Sequence, residues 1–380
     1  MKNYELIATS TFGLEAIVKR EIQQLDCEIL SVENGKVTYK GTARDIVRSN
    51  LWLRTADRVL LKVAEFQAVT FDELFDQIKH LPWGDYIPKD GKFIVNGKSV
   101  KSALFSISDC QRIVKKAIVD KLMFAHKQSE LPETGDEYAI QFAILKDVVT
   151  ITIDTSGDGL HKRGYRVETV EAPLKETLAS ALIQLSYWSK DRILYDVFCG
   201  SGTIPIEAAM IGRNIAPGLS RDFASKHWPN IIDASIWKEE SKAAFQAIDH
   251  DSTIQIFASD INPSNLHAAQ ENAIEAGVDD CITFTVSDFK DVNYKHDYGV
   301  LISNPPYGER LLNEEEITQL TNQMGKTLKP LDTWSIYVLT SFMDFEKEYH
   351  KVANRKRKLY NGRLEVWYYQ YYGPRPPNKE

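Results

Sequence analysis

Cysteine is scarce in this chain of 380 residues. The four thiols, Cys27, Cys110, Cys199 and Cys281, stand far apart and form no C-x-x-C pair, which excludes a zinc module and a disulfide framework. Long apolar runs are missing too, and none approaches the length of a membrane span. Glu5 and Glu15 interrupt the apolar pattern of the first twenty residues, so neither export nor insertion is expected and the cytoplasm is the expected compartment. An excess of basic charge is also absent: 46 Lys and Arg against 53 Asp and Glu give a net charge of −7, which excludes a uniformly basic nucleic-acid-coating protein. Internal repeats are lacking, and the only low-complexity tract is the short PRPPNKE tail.

What is present is enough chain for two or three domains. YELIAT at 4–9 reads as a strand, and Leu14, Ile17, Val18, Ile22 and Leu25 recur at helical spacing. A helix-sized segment at 42–54 follows an E-N-G turn at 33–35, and the strand-like RVLLKVAEF follows at 58–66. Their sum is a β-α-β-β-α-β unit. Residues 71–79 look helical, KFIVNGKSV at 92–100 looks like a strand, and Ser108 with Gln111 offers a capping box for a helix through Ala125. YAIQFAI and VVTITID supply two further strands. Residues 89–127 hold nine Lys and Arg against three Asp and Glu, the one long basic region.

After about residue 160 the pattern alternates. ILYDVF, TIPIEAAMIG, IQIFAS, PSNLHAAQENAIEAG, ITFTVSD, GVLISN, a helix near 315–328 and WSIYVLTS follow in order, which predicts a doubly wound α/β sheet. KLYNGRLEVWYYQYY, with its Asn361-Gly362 turn, predicts a terminal antiparallel hairpin.

Four strand ends carry candidate chemistry. Asp196-Val197-Phe198-Cys199-Gly200-Ser201-Gly202-Thr203 stands where a buried strand passes to a helix, and its two glycines allow a ligand close to the backbone. The third position of a dinucleotide fingerprint is Pro205, which disfavours a nicotinamide-dependent oxidoreductase, and G-x-G after a strand is also an ordinary tight turn. Asp260 ends the next strand, before Ile261, Asn262 and Pro263. A carboxylate there suits two ribose hydroxyls, although taken alone it reads as a helix cap. It lies 64 residues after Asp196 rather than about twenty, so 213–250 is an insertion. Asp288, with Phe289 beside it, ends the third strand, where an acid can meet an adenine amino group and the ring can pack on the base; Asp at a strand end is more often a turn residue. Asn304-Pro305-Pro306-Tyr307 follows the strand GVLIS. Two prolines stop the sheet and hold the Asn oxygen and the Pro305 carbonyl as fixed acceptors beside an aromatic ring, a match for an exocyclic amine on a flat base.

Together these strand ends resemble the class I S-adenosylmethionine-dependent methyltransferases of the amino-methylating kind. The resemblance implies a seven-stranded Rossmann-like sheet with S-adenosyl-L-methionine as cofactor and no metal. It places Asp196 and Cys199 to Thr203 at the methionine part, Asp260 and Ile261 at the ribose, Asp288 and Phe289 at the adenine, and Asn304 to Tyr307 at the target amine, with Asn304 also beside the cofactor.

YELIATSTFGLEAIVKREI, HKRGYR at 161–166, APLKETLAS at 172–180, NIAPGLSRDF at 214–223 and the terminal hairpin are similar to the THUMP-domain methyltransferases, in particular the bacterial group resembling the amino half of the 23S ribosomal RNA guanine-N2 methyltransferase. Val197 departs from that group, which commonly has proline there.

The implied division is a ferredoxin-like region at 1–66, a THUMP RNA-binding domain at 67–160 and the methyltransferase domain at 161–380. The partner is structured RNA, with 23S ribosomal RNA first and transfer RNA as an alternative; adenine N6 is the alternative amine, and a noncatalytic ribosome-assembly factor the alternative class. Phosphate and stacking contacts are expected from Lys115 and Lys116, from Lys162, Arg163, Tyr165 and Arg166 of HKRGYR, and from Arg355 and Lys356 in the basic run 351–363, although a solvated rim explains the last equally well.

Overall fold

The computed structural model describes residues 2–168, 173–307 and 313–377. They form two compact units. The first comprises the chain up to Ser10, Val18–Leu160 and Asp222–Ala243; the second comprises Thr11–Ile17, His161–Arg221 and the chain from Ala244 onward.

The β-α-β-β-α-β pattern at the start is realised as β1 (Tyr4–Thr9), α1 (Glu15–Gln24), β2 (Glu28–Glu33), β3 (Lys36–Gly41), α2 (Ala43–Trp52) and β4 (Arg58–Gln67). The E-N-G turn closes β2 onto β3 because Gly35 adopts φ +77, which a residue with a side chain resists. α3 (Phe71–His80) starts at Thr70, whose hydroxyl and the Glu73 carboxylate cap each other's backbone, and a one-turn α4 (Trp83–Tyr86) follows. β5 (Lys92–Val100), α5 (Ile107–His126), β6 (Glu137–Leu145) and β7 (Val148–Asp154) complete the unit. The strands share one sheet in the order β2-β3-β1-β4-β7-β6-β5. The cap of α5 is Ser106 rather than Ser108, because the helix begins at Ile107 and Ser108 lies inside its first turn.

The insertion is the main departure from a simple linear reading. Asp222–Ala243 packs with the first unit, where Trp228 stacks on Tyr138 at 4.7 Å and Arg44 pairs with Glu239 at 2.7 Å. Apolar surface on both sides accounts for this: Phe223, Trp228, Ile232 and Trp237 are all buried in the core of that unit.

The second unit runs α6 (Glu176–Leu185), β8 (Leu194–Asp196), α7 (Thr203–Gly212), β9 (Ile256–Asp260), α9 (Pro263–Glu275), β10 (Ile282–Val286), β11 (Val300–Ser303), α10 (Glu314–Leu328), β12 (Ser335–Thr340), α11 (Phe345–Tyr349), β13 (Arg355–Asn361) and β14 (Leu364–Tyr371); α8 (Ala234–Gln246) precedes β9. Its sheet order is β10-β9-β8-β11-β12-β14-β13, parallel from β10 to β12 and antiparallel at the terminal hairpin. The expected doubly wound seven-stranded sheet is therefore present. The order reverses between β8 and β11, and in such sheets ligands bind beyond the carboxyl ends of the strands at that reversal.

Candidate active site

A cleft of about 1380 Å³ opens at the reversal, and all four predicted strand ends line it. Each is positioned by local chemistry. Gly200 and Gly202 adopt φ +53 and +82, so the chain can turn sharply from β8 into α7. A Cβ on Gly200 would meet nothing within 4 Å, so its backbone faces open space that a ligand can fill. A Cβ on Gly202 would come within 3.0 Å of the Ala269 Cβ, so this glycine lets the loop lie against α9.

Asp260 organises the loop from the next strand. Its carboxylate accepts from the Gly200 N–H at 3.0 Å, the Asn262 N–H at 2.9 Å and Asn265 Nδ2 at 3.1 Å. Asn262, not Asp260, caps α9, accepting from the Ser264 N–H at 2.9 Å. Ile261 is exposed at the rim although it is apolar. Asp288 accepts from the Lys290 N–H at 3.2 Å and pairs with its ammonium at 3.0 Å. Phe289 is buried with its ring 5.1 Å from that of Phe198, so the pair forms one aromatic floor.

Asp196 is enclosed beneath the glycine loop. Burial pushes its carboxyl up to about 7, and hydrogen bonds from Ser303 Oγ at 2.8 Å and the Phe198 N–H at 3.2 Å act in the opposite sense. The Cys199 thiol is held well above its ordinary range by burial, with Asp196 and Asp260 adding to it, so it stands neutral.

Asn304 leaves β11 directly into the cleft with Pro305, Pro306 and Tyr307. Its Oδ1 is buried and has no hydrogen-bond partner among the described residues. An unmet acceptor of this kind costs about 1–3 kcal/mol, and none of the described residues supplies its donor. Tyr307 Oη accepts from Asn361 Nδ2 at 3.4 Å, which brings the turn of the terminal hairpin to the same cleft.

The expected RNA contacts separate into distinct environments. Lys115 and Lys116 are exposed on α5, with their ammonium groups 5.3 and 5.8 Å from the rings of Phe93 and Phe75. Arg355 and Lys356 are exposed on β13, and Lys162 is exposed. Arg163 and Tyr165 correct the expectation: both are buried against Glu207, Arg163 Nε at 3.3 Å and Tyr165 Oη at 3.2 Å, so neither presents a surface for phosphate or base. Arg166 is also committed. Its guanidinium donates to Ser201 Oγ at 2.8 Å, Thr203 Oγ1 at 2.9 Å and the Leu174 carbonyl at 3.2 Å, and pairs with Glu176 at 2.8 Å. HKRGYR thus braces the glycine loop. The reason is topological: α6 and α7 bring Glu176 and Glu207 to it, and these acids supply the partners that a buried guanidinium requires.

Sequence reasoning missed three contributors. Ser303 and Asn272 act through contacts distant in sequence, Asn272 by accepting from the Val167 and Glu168 N–H groups and donating to the Ser201 carbonyl at 3.1 Å. The third is the Asn361–Leu364 turn, whose Asn-Gly signal was visible but whose arrival at the cleft depends on β14 lying between β12 and β13. Ala172, in the APLKETLAS segment, lies outside the described residues.

Comparisons with known proteins agree with the fold. A family model described as an RMKL-like methyltransferase domain matches residues 163–370, an RlmL ferredoxin-like domain matches 5–60 and a THUMP domain matches 68–154. YpsC of Bacillus subtilis, named as an RNA methyltransferase, is 50% identical over 100% of this chain and 99% of its own. A Listeria monocytogenes structure, named as a predicted N6-adenine-specific DNA methylase, is 50% identical with a TM-score of 0.94 and covers 98% of this chain and 97% of its own. SMU.472, a methyltransferase by its name and solved with S-adenosylhomocysteine (SAH), is 45% identical with a TM-score of 0.94, covering 99% and 100%.

Proposed function

Because the chain belongs to the RMKL-like methyltransferase family and is an S-adenosyl-L-methionine-dependent methyltransferase, we propose that its acceptor is an exocyclic base amine in structured RNA, guanine N2 of 23S ribosomal RNA. The observation that carries the reading is Asn304 in the cleft at the sheet reversal, its buried Oδ1 without a partner among the described residues. Support for RNA comes from the THUMP match and from the name carried by the Bacillus relative. The division of labour assigns 1–66 and 67–160 to substrate grip and 161–380 to methyl transfer, in the cytoplasm.

The residues fit the cofactor. Open space over Gly200, the carboxylates of Asp260 and Asp288 at neighbouring strand tips and the apolar Ile261 suit methionine, ribose and adenine in turn. When bound, S-adenosyl-L-methionine supplies a methyl group already activated for transfer. The chain's task is then alignment, which contributes about 7–11 kcal/mol of barrier lowering in well-oriented reactions. Asn304 Oδ1 and the Pro305 carbonyl accept the two N–H bonds of the target amine, and Tyr307 stacks on its base. A base amine is a poor nucleophile because its lone pair is delocalised into the ring. The two acceptors favour its pyramidal form and gain strength as positive charge develops on nitrogen.

The Listeria relative's name favours a second reading, adenine N6. Incubation with labelled S-adenosyl-L-methionine and total nucleic acid from cells lacking the protein separates the two. Label in N2-methylguanosine of 23S RNA supports the proposal, label in N6-methyladenosine replaces the amine, and label in DNA or in no nucleic acid overturns it.

A further inference from the structure

β13 is an edge strand, and its residues alternate between two faces with different fates. On one face the lysines are neutralised: Lys356 Nζ lies 2.9 Å from Glu346 and Lys358 Nζ 2.6 Å from Glu365. On the other face Arg355 lies opposite Gln370 and Arg357 opposite Tyr368. Neither guanidinium has an acidic partner or a hydrogen-bond acceptor among the described residues, and Arg357 Nε is a buried donor without a partner. Burial, and after it the charge of Arg355, pushes the Arg357 guanidinium below its ordinary range.

Tyr372 lies near enough to Arg355 and Arg357 to interact with both charges. Tyr187, 57% exposed, packs against Tyr372 at 4.8 Å, and Tyr372 lies 6.3 Å from the buried Tyr337. Arg192 donates to the carbonyls of Tyr187, Tyr298 and Gly299 and so anchors the segment that carries Tyr187. Guanidiniums beside an exposed and a half-buried ring form a combination that binds a single nucleic-acid strand, phosphates on the cations and bases on the rings. Charged side chains along an edge strand disfavour pairing with a strand of a second protein copy.

Resting on the RNA reading above, we propose that Arg355, Arg357, Tyr187 and Tyr372 form a binding surface for a single-stranded segment of the RNA substrate, leading along β13 to the hairpin turn at the cleft. Arg355 to Asn361 spans about 20 Å of extended strand, the reach of a few nucleotides.

The test measures RNA affinity across a salt series, with SAH affinity reporting the integrity of the cleft. Arg355→Gln, an exposed change, lowers the salt slope by about 1, and the Arg355→Gln, Arg357→Gln pair lowers it by about 2 and weakens binding roughly tenfold or more. Tyr187→Ala weakens binding with the slope retained. Lys356→Gln, which removes a cation already paired with Glu346, stays close to the unmodified protein. Arg355→Gln protein that keeps both affinity and slope, while the unmodified enzyme labels RNA, overturns this surface alone. If the unmodified enzyme labels no RNA, the proposed function falls instead.

Discussion

Ser303 Oγ donates to Asp196 Oδ1 at 2.8 Å and accepts from the Val197 N–H at 3.0 Å, so one hydroxyl joins the strand tip bearing the glycine loop to the strand tip bearing Asn304. The cofactor side and the acceptor side of the cleft are thereby held at a fixed separation, which is what an in-line transfer requires.

The same contact has a pH consequence. Asp196 is pushed from 3.8 up to about 7 by burial, so between those values the folded protein binds more protons than the unfolded chain. Stability from this group is therefore greatest at low pH and falls as pH rises through that window. Asp196→Asn removes the dependence, and its melting temperature should rise relative to the unmodified protein between about pH 5 and pH 8. Ser303→Ala removes a donor that favours the carboxylate and should extend the fall to higher pH. Thermal scans at both pH values check this, and an Asn variant with the same offset at each would refute it.

Asn304→Ala should separate activity from stability. Losing the acceptor is expected to lower kcat by about 10²–10³-fold while SAH affinity stays near normal. Deleting a buried oxygen that has no partner among the described residues removes a cost of about 1–3 kcal/mol, so the melting temperature should hold or rise. Single-turnover kinetics and calorimetry on the same sample decide it.

Arg166 offers a test between bracing and RNA grip. Its fork holds Ser201 and Thr203 at once, geometry that an ammonium cannot reproduce. Arg166→Lys should raise the KM for S-adenosyl-L-methionine roughly tenfold, the equivalent of about 1.4 kcal/mol, and leave the salt slope of RNA binding unchanged. A reduced slope with unaltered cofactor KM would return Arg166 to the RNA surface.

Glu207 is fully buried and accepts from Arg163, Tyr165 and Ser180. Glu207→Ala strands the Arg163 charge and should cost about 3–5 kcal/mol, read by denaturant titration. Arg163→Met combined with Glu207→Leu should recover most of that loss, and a double variant as unstable as the single one would show that the charge is not the cause.

Much of this protein was legible residue by residue. The Asn-Gly turn, the strand runs and the glycine loop follow from short-range sterics that act within a few residues, and the strand-end positions of Asp260, Asp288 and Asn304 follow from the alternation of strands and helices. Ser106 displaced Ser108 as the α5 cap because both are good capping residues and only packing fixes where the first turn begins.

The sequence by itself determined the elements, the doubly wound order of the second unit and which side chains stand at strand tips. Tertiary structure alone decided which cations are spent inside. Arg163 and Arg166 look like Arg355 in the sequence, yet Glu207 and Glu176 arrive beside the first two through helix packing, while Arg355 meets no acid on its edge strand. It also decided that Asp222–Ala243 packs with the first unit and that Ser303 reaches Asp196, 107 residues away. Desolvation and pairing are settled by neighbours that the chain supplies from afar, so no local pattern can announce them.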